Sequence, residues 1–202
     1  MRQITEIIRQ LLADRSHTVE SLRDNETLTS VFLQATLIAQ RTHHREKLEC
    51  LQNAVYSAAI GRPNLTDDKM LIFVRYIDEL APFHMHILGF LQKHDADVRK
   101  IGELEALRDY FIAHGGALQD RELFKLALTD LCSRLLVRMT SMMSDYTDIA
   151  GARLVAMTKL GGTLPRLFVT QFGREFLLFV SATDDLNNIA AYASDSGSSP
   201  SA

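Results

Sequence analysis

Cysteine is scarce in this sequence, and its scarcity excludes one class of protein. The chain has 202 residues and only two cysteines, Cys50 and Cys132, which lie far apart within periodic apolar patterns. A disulfide scaffold needs several cysteine pairs, so that class is excluded. We interpret both cysteines as small buried side chains, as expected in a reducing compartment. A chain of this length buries about 70% of the surface that its unfolded state exposes, so it needs no cross-link.

Long apolar segments are also absent. The longest run without a charged residue, Thr27 to Gln40, has 14 residues and includes Thr, Ser and Gln. A membrane span needs about 20 mostly apolar residues. Residues 1–9 alternate polar and apolar side chains, unlike the continuous apolar core of a signal peptide. We therefore expect a cytoplasmic protein that does not contact a membrane.

Neither sign of charge dominates the composition. The sequence has 22 Lys and Arg against 25 Asp and Glu, a net charge of −3, and 47% of its residues are apolar. This apolar content excludes a disordered chain, and the charge balance excludes a protein that binds polyanions through bulk positive charge. We expect one large globular domain or two small ones.

The sequence has none of the motifs that mark common catalytic and cofactor sites. It lacks G-x-x-x-x-G-K-[ST], G-x-G-x-x-G, G-x-S-x-G, H-E-x-x-H and C-x-x-C. His84 and His86 diverge if they lie on a helix, and Asp95 and Asp97 are interpreted as a solvated turn. We therefore predict no catalytic residue, metal site or cofactor, and favour a non-enzymatic protein. The alternative is an enzyme or ligand sensor with a pocket near these histidines and the polar segment Arg41–Lys47.

Helical periodicity dominates the first third of the chain. Apolar residues recur at three- and four-residue steps over Ile4–Leu12. A second stripe begins after Asn25, a candidate N-cap, and ends at Gly61-Arg62-Pro63. One helix over this range would have about 35 residues, which is long for a compact domain. It therefore either breaks near Arg41–His44 or projects as an arm. The polar segment Arg41–Lys47 is either exposed to solvent, with salt bridges along the helix, or a surface on which another helix, subunit or ligand docks.

The second half of the sequence predicts more helices and a short strand. Pro82 kinks or ends one helix, and Leu167–Val169 is a strand candidate. Residues 140–161 fit a helix or a wing strand equally well. Candidate N-caps are Thr66, Asp120 and Thr170. The predicted helices cover residues 66–81, 83–93, 104–113 and 120–137, with a last one after Thr170.

The closing stretch of the chain carries a pattern that resembles a known family. A short extended piece ends in Thr170, and Gly173 follows before a helix that begins with Arg174 and continues with Phe176 and Phe179. This resembles the end of many bacterial winged-helix domains. The leucines of 128–136 resemble the end of the helix that precedes the wing. The resemblance covers residues 66–182 and implies that 120–136 stands in the place of the recognition helix.

A fainter resemblance extends over the whole chain. The stretch Tyr76 to Leu88 is similar to uncharacterised bacterial proteins of the abortive-infection alpha type. Together, the resemblances imply a mainly α protein, in which an N-terminal helical bundle precedes a winged-helix-like module with a small two-stranded wing. We expect residues 1–64 to form the N-terminal region, a candidate oligomerisation arm. Residues 65–182 would form the module and 183–202 a flexible tail.

The winged-helix resemblance implies a DNA-binding regulator. Residues facing the major groove would be Arg121, Lys125, Thr129 and Arg134, and residues reaching phosphates from the wing would be Arg153, Lys159 and Arg166. Residues 119–182 hold eight Lys and Arg against six Asp and Glu, a net charge of +2. Two features are unlike those of a protein that recognises DNA sequence. Glu122 and Asp130 would repel phosphates, and more than 25 residues separate Val137 from Leu167, where a simple wing has a short hairpin.

The alternative prediction is a helical protein-interaction subunit, of a defence system or another assembly, that does not bind DNA. In that case the long second helix would mediate a homodimer or bind a protein partner, since a fold alone does not specify a function.

Overall fold

The computed structural model describes residues 24–62, 65–117, 120–140 and 166–181. Within these ranges 73% of the residues are helical, and two short strands form a small antiparallel sheet, which confirms the predicted fold class. The elements are α1 (Glu26–Arg41), α2 (Arg45–Ile60), α3 (Asp67–Glu79), α4 (Pro82–Lys93), α5 (Asp95–Val98), α6 (Leu104–Ala113), α7 (Arg121–Ser133), β1 (Val137–Thr140), β2 (Arg166–Val169) and α8 (Gln171–Val180).

Some sequence predictions lie outside the described residues. These are the N-terminal helix over Ile4–Leu12, the flexible tail from residue 183, and all of the ambiguous segment 140–161 except Thr140. Among the helices that are described, none is both long enough and apolar enough to cross a membrane.

The chain divides into two compact units. One contains the described residues up to Glu79 together with those from Leu178 onward, and the other contains the described residues of the stretch Leu80–Leu177. The domain boundaries predicted from the sequence, at 64/65 and 182/183, stay a prediction. In the division into compact units, α3 groups with the preceding helices.

The long helix predicted from Asn25 is broken into α1 and α2. Asn25 caps α1 as predicted, because its side-chain oxygen accepts a hydrogen bond from the amide of Leu28 at 2.9 Å. Thr42 to His44 separate the two helices, so of the two predicted alternatives the break near Arg41–His44 is confirmed. Gly61, in the left-handed conformation with φ of 62°, ends α2 at the predicted stop.

The polar segment around this break contacts the C-terminal end of α3. Arg41 forms an ion pair with the carboxylate of Asp78, and the Nζ of Lys47 donates to the backbone carbonyl of Asp78 at 2.7 Å. Arg45 and Glu49 form the predicted exposed pair one turn apart, at 2.8 Å. The segment is therefore partly exposed to solvent and partly in contact with α3.

The first unit also contains the last turn of α8. Ser57 donates from Oγ to the carbonyl of Phe179 at 3.1 Å, and Asn53 donates from Nδ2 to the carbonyl of Val180 at 2.9 Å. The ring of Phe179 lies 5.7 Å from the ring of Phe73 between centroids. The last carbonyls of a helix have no partner within it, so α2 supplies the donors that two of them need.

The second unit begins where proline separates two helices. Pro82 is the first residue of α4, a position that tolerates the missing amide, so the predicted end of the preceding helix is confirmed. The Asp95–Asp97 segment was predicted as a solvated turn, but it forms the single-turn helix α5. Its acids pair with nearby cations, Asp95 with Arg99 and Asp97 with Lys100, each at 3.0 Å.

Candidate nucleic-acid interface

Helix α7 lies between α6 and the two-stranded ribbon in the order of the elements. Asp120 caps it as predicted, accepting from the amide of Leu123 at 3.0 Å. Its inward side chains are buried at three- and four-residue steps: Phe124, Ala127, Leu128, Leu131 and Cys132. This burial fixes the opposite face of α7 as the one available to a ligand.

The outward face of α7 is mixed in character. Glu122 and Ser133 are exposed, and the side chain of Leu126 is 53% exposed. Lys125 is half-buried, and the half-buried Thr129 donates its hydroxyl to the carbonyl of Lys125 at 2.9 Å. The exposed face of α7 therefore combines acidic, polar and apolar side chains with the exposed cation Arg121, and Lys125 lies at its edge.

Two of the charged groups of α7 are held by neighbouring helices. Arg121 forms an ion pair with Glu105 of α6. The carboxylate of Asp130 lies 3.3 Å from the Nε2 atom of His84 in α4. These contacts link α7 to α6 and α4.

His84 is a buried histidine that joins α4 to α7. Its Nδ1 lies 3.1 Å from the amide nitrogen and 3.2 Å from the carbonyl oxygen of Ala81, and its Nε2 lies 3.3 Å from the carboxylate of Asp130. Burial lowers the pKa of His84, although Asp130 and the Ala81 carbonyl oppose this effect. His86 is exposed, as expected from their spacing on a helix. No group of three or more histidine, cysteine or acidic side chains within the described ranges is arranged to hold a metal ion.

Leu135 ends α7 in an unusual way. The amide of Leu136 donates to the carbonyl of Leu131, and the amide of Leu135 donates to the carbonyl of Cys132, both at 3.0 Å. This pair of hydrogen bonds is a Schellman motif, which places Leu135 in the left-handed conformation with φ of 60°. Glycine normally occupies that position, because the left-handed conformation costs a residue with a Cβ atom about 1–2 kcal/mol. The predicted helix over 120–137 is therefore too long: α7 ends at Ser133.

The ribbon after α7 has one buried face and one outward face. Val137 pairs with Val169 and Arg138 with Phe168 in the antiparallel register. Alternate residues point the same way in a strand, and the inward set is buried: Val137, Met139, Leu167 and Val169. Arg138 and Arg166 are exposed and belong to the other set, which also contains the half-buried Phe168, the cross-strand partner of Arg138.

Thr170 joins the ribbon to the helices on both sides of it. Its hydroxyl donates to the carbonyl of Leu135 at 2.6 Å and accepts from the amide of Gly173 at 2.9 Å. Thr170 therefore caps α8, as predicted, and at the same time holds the turn that follows α7. The Thr170-x-x-Gly173 spacing seen in the sequence thus has a physical basis.

Positive charge is concentrated in this part of the unit. The described residues 131–140 and 166–174 contain four arginines, Arg134, Arg138, Arg166 and Arg174, and no Asp or Glu. The acids of α7 lie before this stretch. The ribbon and its flanks therefore form a locally cationic segment in a chain of net negative charge.

The predicted binding residues are distributed over two elements. Arg121, Lys125 and Thr129 recur every four residues along one side of α7. Arg134 is the half-buried C-cap of the same helix, and Arg166 begins the second strand. The predicted phosphate contacts Arg153 and Lys159 lie outside the described residues.

Arg138 was missed because the periodic leucines before it suggested a longer helix. The alternation of apolar and polar side chains from Val137 to Thr140 is the signal that could have identified the strand.

The cysteines show no sign of nucleophilic activation. Burial raises the pKa of Cys132 to about 12, and burial, together with neighbouring acids, raises the pKa of Cys50 to about 11. Both are free thiols, Cys132 buried and Cys50 half-buried. A thiolate is the reactive form, so both act as small packing residues.

Comparison of the chain with models of protein families, with curated proteins and with solved structures finds no match. Any function assigned to the chain therefore depends on its own geometry and charge.

Proposed function

We propose that the Leu80–Leu177 unit is a non-enzymatic DNA-binding module that contacts the phosphate backbone chiefly through its two-stranded ribbon. The observation that carries this proposal is the pair of exposed arginines, Arg138 and Arg166, on the outward face of the ribbon, in a part of the chain whose described residues 131–140 and 166–174 contain no Asp or Glu. The order of the elements, with α7 directly before the ribbon, supports the same function by resemblance to winged-helix domains.

The two parts of the proposed interface have different roles. A guanidinium group forms paired, charge-assisted hydrogen bonds with phosphate oxygens, so the ribbon arginines suit the DNA backbone. Glu122, at the exposed part of α7, opposes close approach of that helix to phosphates. Phosphate contacts therefore come mainly from the ribbon. Lys125, on the flank of α7, adds a further contact.

Neutralising both ribbon arginines is expected to weaken duplex binding. Each lost phosphate contact lowers the slope of log affinity against log salt by about 0.9. An Arg138→Gln/Arg166→Gln variant should therefore show a slope reduced by about 2 and an affinity at least about tenfold lower at low salt. Fluorescence anisotropy of labelled random and genomic duplexes, titrated at several salt concentrations, measures both quantities.

A matched control removes the same number of charges elsewhere. Arg45 and Arg75 are exposed and paired with acids on their own helices, so Arg45→Gln/Arg75→Gln should leave duplex binding nearly unchanged. Equal losses in the two double variants would show that only net charge matters. An unmodified protein that binds no duplex at low salt would overturn the proposal itself.

A second candidate function is self-association through α1, and one observation favours it. Leu33 and Leu37 lie one turn apart and are 57% and 62% exposed. They belong to the stretch Thr27–Gln40, which has no charged residue. Interface cores are depleted of charge, and an uncharged face can meet a second copy of itself without repulsion. The second candidate is therefore a homodimer formed through α1.

Self-association predicts a mass that depends on concentration. The unmodified chain should rise from 22.7 kDa towards twice that value, whereas Leu33→Glu/Leu37→Glu should remain monomeric because four acids would meet in the dimer. Multi-angle light scattering over a range of concentrations measures this. Leu123→Glu/Leu126→Glu, which alters two exposed leucines of another helix, is the control and should still associate. A constant monomer mass for the unmodified chain would eliminate this candidate.

A further inference from the structure

Leu135 combines two features that stability does not explain. Among the residues that the structure describes, it is the one non-glycine residue with positive φ. Its side chain is also 64% exposed, more than any other large apolar side chain in the described ranges. Glycine would relieve the backbone at this position, and burial gives the leucine little in return. Unusual backbone conformations of this kind often occur where a side chain has a binding role.

The surroundings of Leu135 indicate the chemistry of a binding partner. Arg134 precedes it and Arg138 follows three residues later. Residues 131–140 and the second strand contain no acid, and Asp130, the acid before them, lies against His84. The hydroxyl of Thr170 holds the carbonyl of Leu135 at 2.6 Å, so the exposed side chain projects from a fixed backbone. An exposed apolar side chain next to arginines suits a ligand that has anionic groups on its surface and apolar groups beneath them.

We propose that Leu135 makes an apolar contact with the bases of duplex DNA while the neighbouring arginines bind its phosphates. This inference rests on the proposed DNA-binding function and adds a residue that contacts bases. Leucine can contact the methyl group of thymine or enter between base pairs at a deformable step. An anionic membrane is the other partner that such chemistry could suit. However, a single leucine buries too little apolar surface for stable membrane attachment, so DNA is favoured.

The base contact can be distinguished from the phosphate contacts by its response to salt. An uncharged side chain releases no counterions, so its removal should lower the affinity for DNA without changing the salt slope. Removal of the ribbon arginines, in contrast, should lower both.

Three substitutions at one position provide the test. Leu135→Gly and Leu135→Asn suit the left-handed backbone and remove the apolar contact, whereas Leu135→Met keeps an apolar side chain on the same backbone. We expect the Gly and Asn variants to melt at a higher temperature than the unmodified chain. They should bind duplexes about tenfold more weakly with an unchanged salt slope. The Met variant should bind like the unmodified chain.

Each outcome separates this inference from the proposed function. If the unmodified chain binds duplexes and Leu135→Gly binds them equally well, the inference is overturned and the proposed function stands. If the unmodified chain binds no duplex, the proposed function fails, and this inference fails with it. Vesicles of anionic phospholipid serve as a second probe. Loss of vesicle binding in Leu135→Gly, with duplex binding intact, would assign the residue to a membrane and overturn the DNA contact.

Discussion

Gly173→Ala is expected to lower the free energy of unfolding by about 3 kcal/mol or more, the upper end of the usual cost of overpacking. A Cβ atom at this position would lie 2.1 Å from the carbonyl oxygen of Leu136 and 2.9 Å from Cγ1 of Val169. The carbonyl of Leu136 also accepts the amide of Thr170 at 3.1 Å, so it cannot move without disturbing the start of α8. Urea denaturation followed by circular dichroism measures the loss.

Gly89→Ala is the matched control for this substitution. Gly89 lies inside α4, and a Cβ atom there meets nothing within 4 Å. Alanine favours the helix over glycine by about 1 kcal/mol, so this variant should be slightly more stable than the unmodified chain. A Gly173→Ala variant as stable as Gly89→Ala would contradict the close approach of α8 to the end of α7.

Phe176→Ala is expected to cost about 3–5 kcal/mol, the usual loss for truncating a fully buried phenylalanine. The side chain of Phe176 has an exposed fraction of 0%. Its removal would leave a cavity beneath α8 that the surrounding residues fill only in part. Thermal and urea unfolding of the variant measure this loss.

The control for Phe176 lies on the same helix. Phe172 is half-buried, so Phe172→Ala should cost clearly less. Equal costs would mean that helix propensity and not burial determines the effect. A loss below about 1 kcal/mol for Phe176→Ala would mean that α8 is peripheral to the core.

Features that depend on neighbouring residues were predicted correctly. Asn25, Asp120 and Thr170 each accept a hydrogen bond from an amide three residues later, so their role is visible in a few residues of sequence. The stop at Gly61 and the separation of α3 from α4 at Pro82 have the same local origin.

Features that depend on distant contacts were not predicted. The apolar periodicity continues through Leu135 and Leu136 and therefore predicted that both lie in the helix. The hydroxyl of Thr170, 35 residues away, binds the carbonyl of Leu135, and the sequence around Leu135 does not show this contact. The strand β1 has four residues, and its partner is supplied by a later part of the chain. Arg138 therefore escaped the candidate site, although Arg166, beside a recognisable strand, was included.

The hydrogen bonds from Asn53 and Ser57 to the end of α8 have a consequence for folding during synthesis. Asn53 and Val180 are 127 positions apart, and Ser57 and Phe179 are 122. Chains are synthesised from the N-terminus, and domains generally fold as units. The helices made first must therefore wait for the last turn of α8 before their own unit is complete.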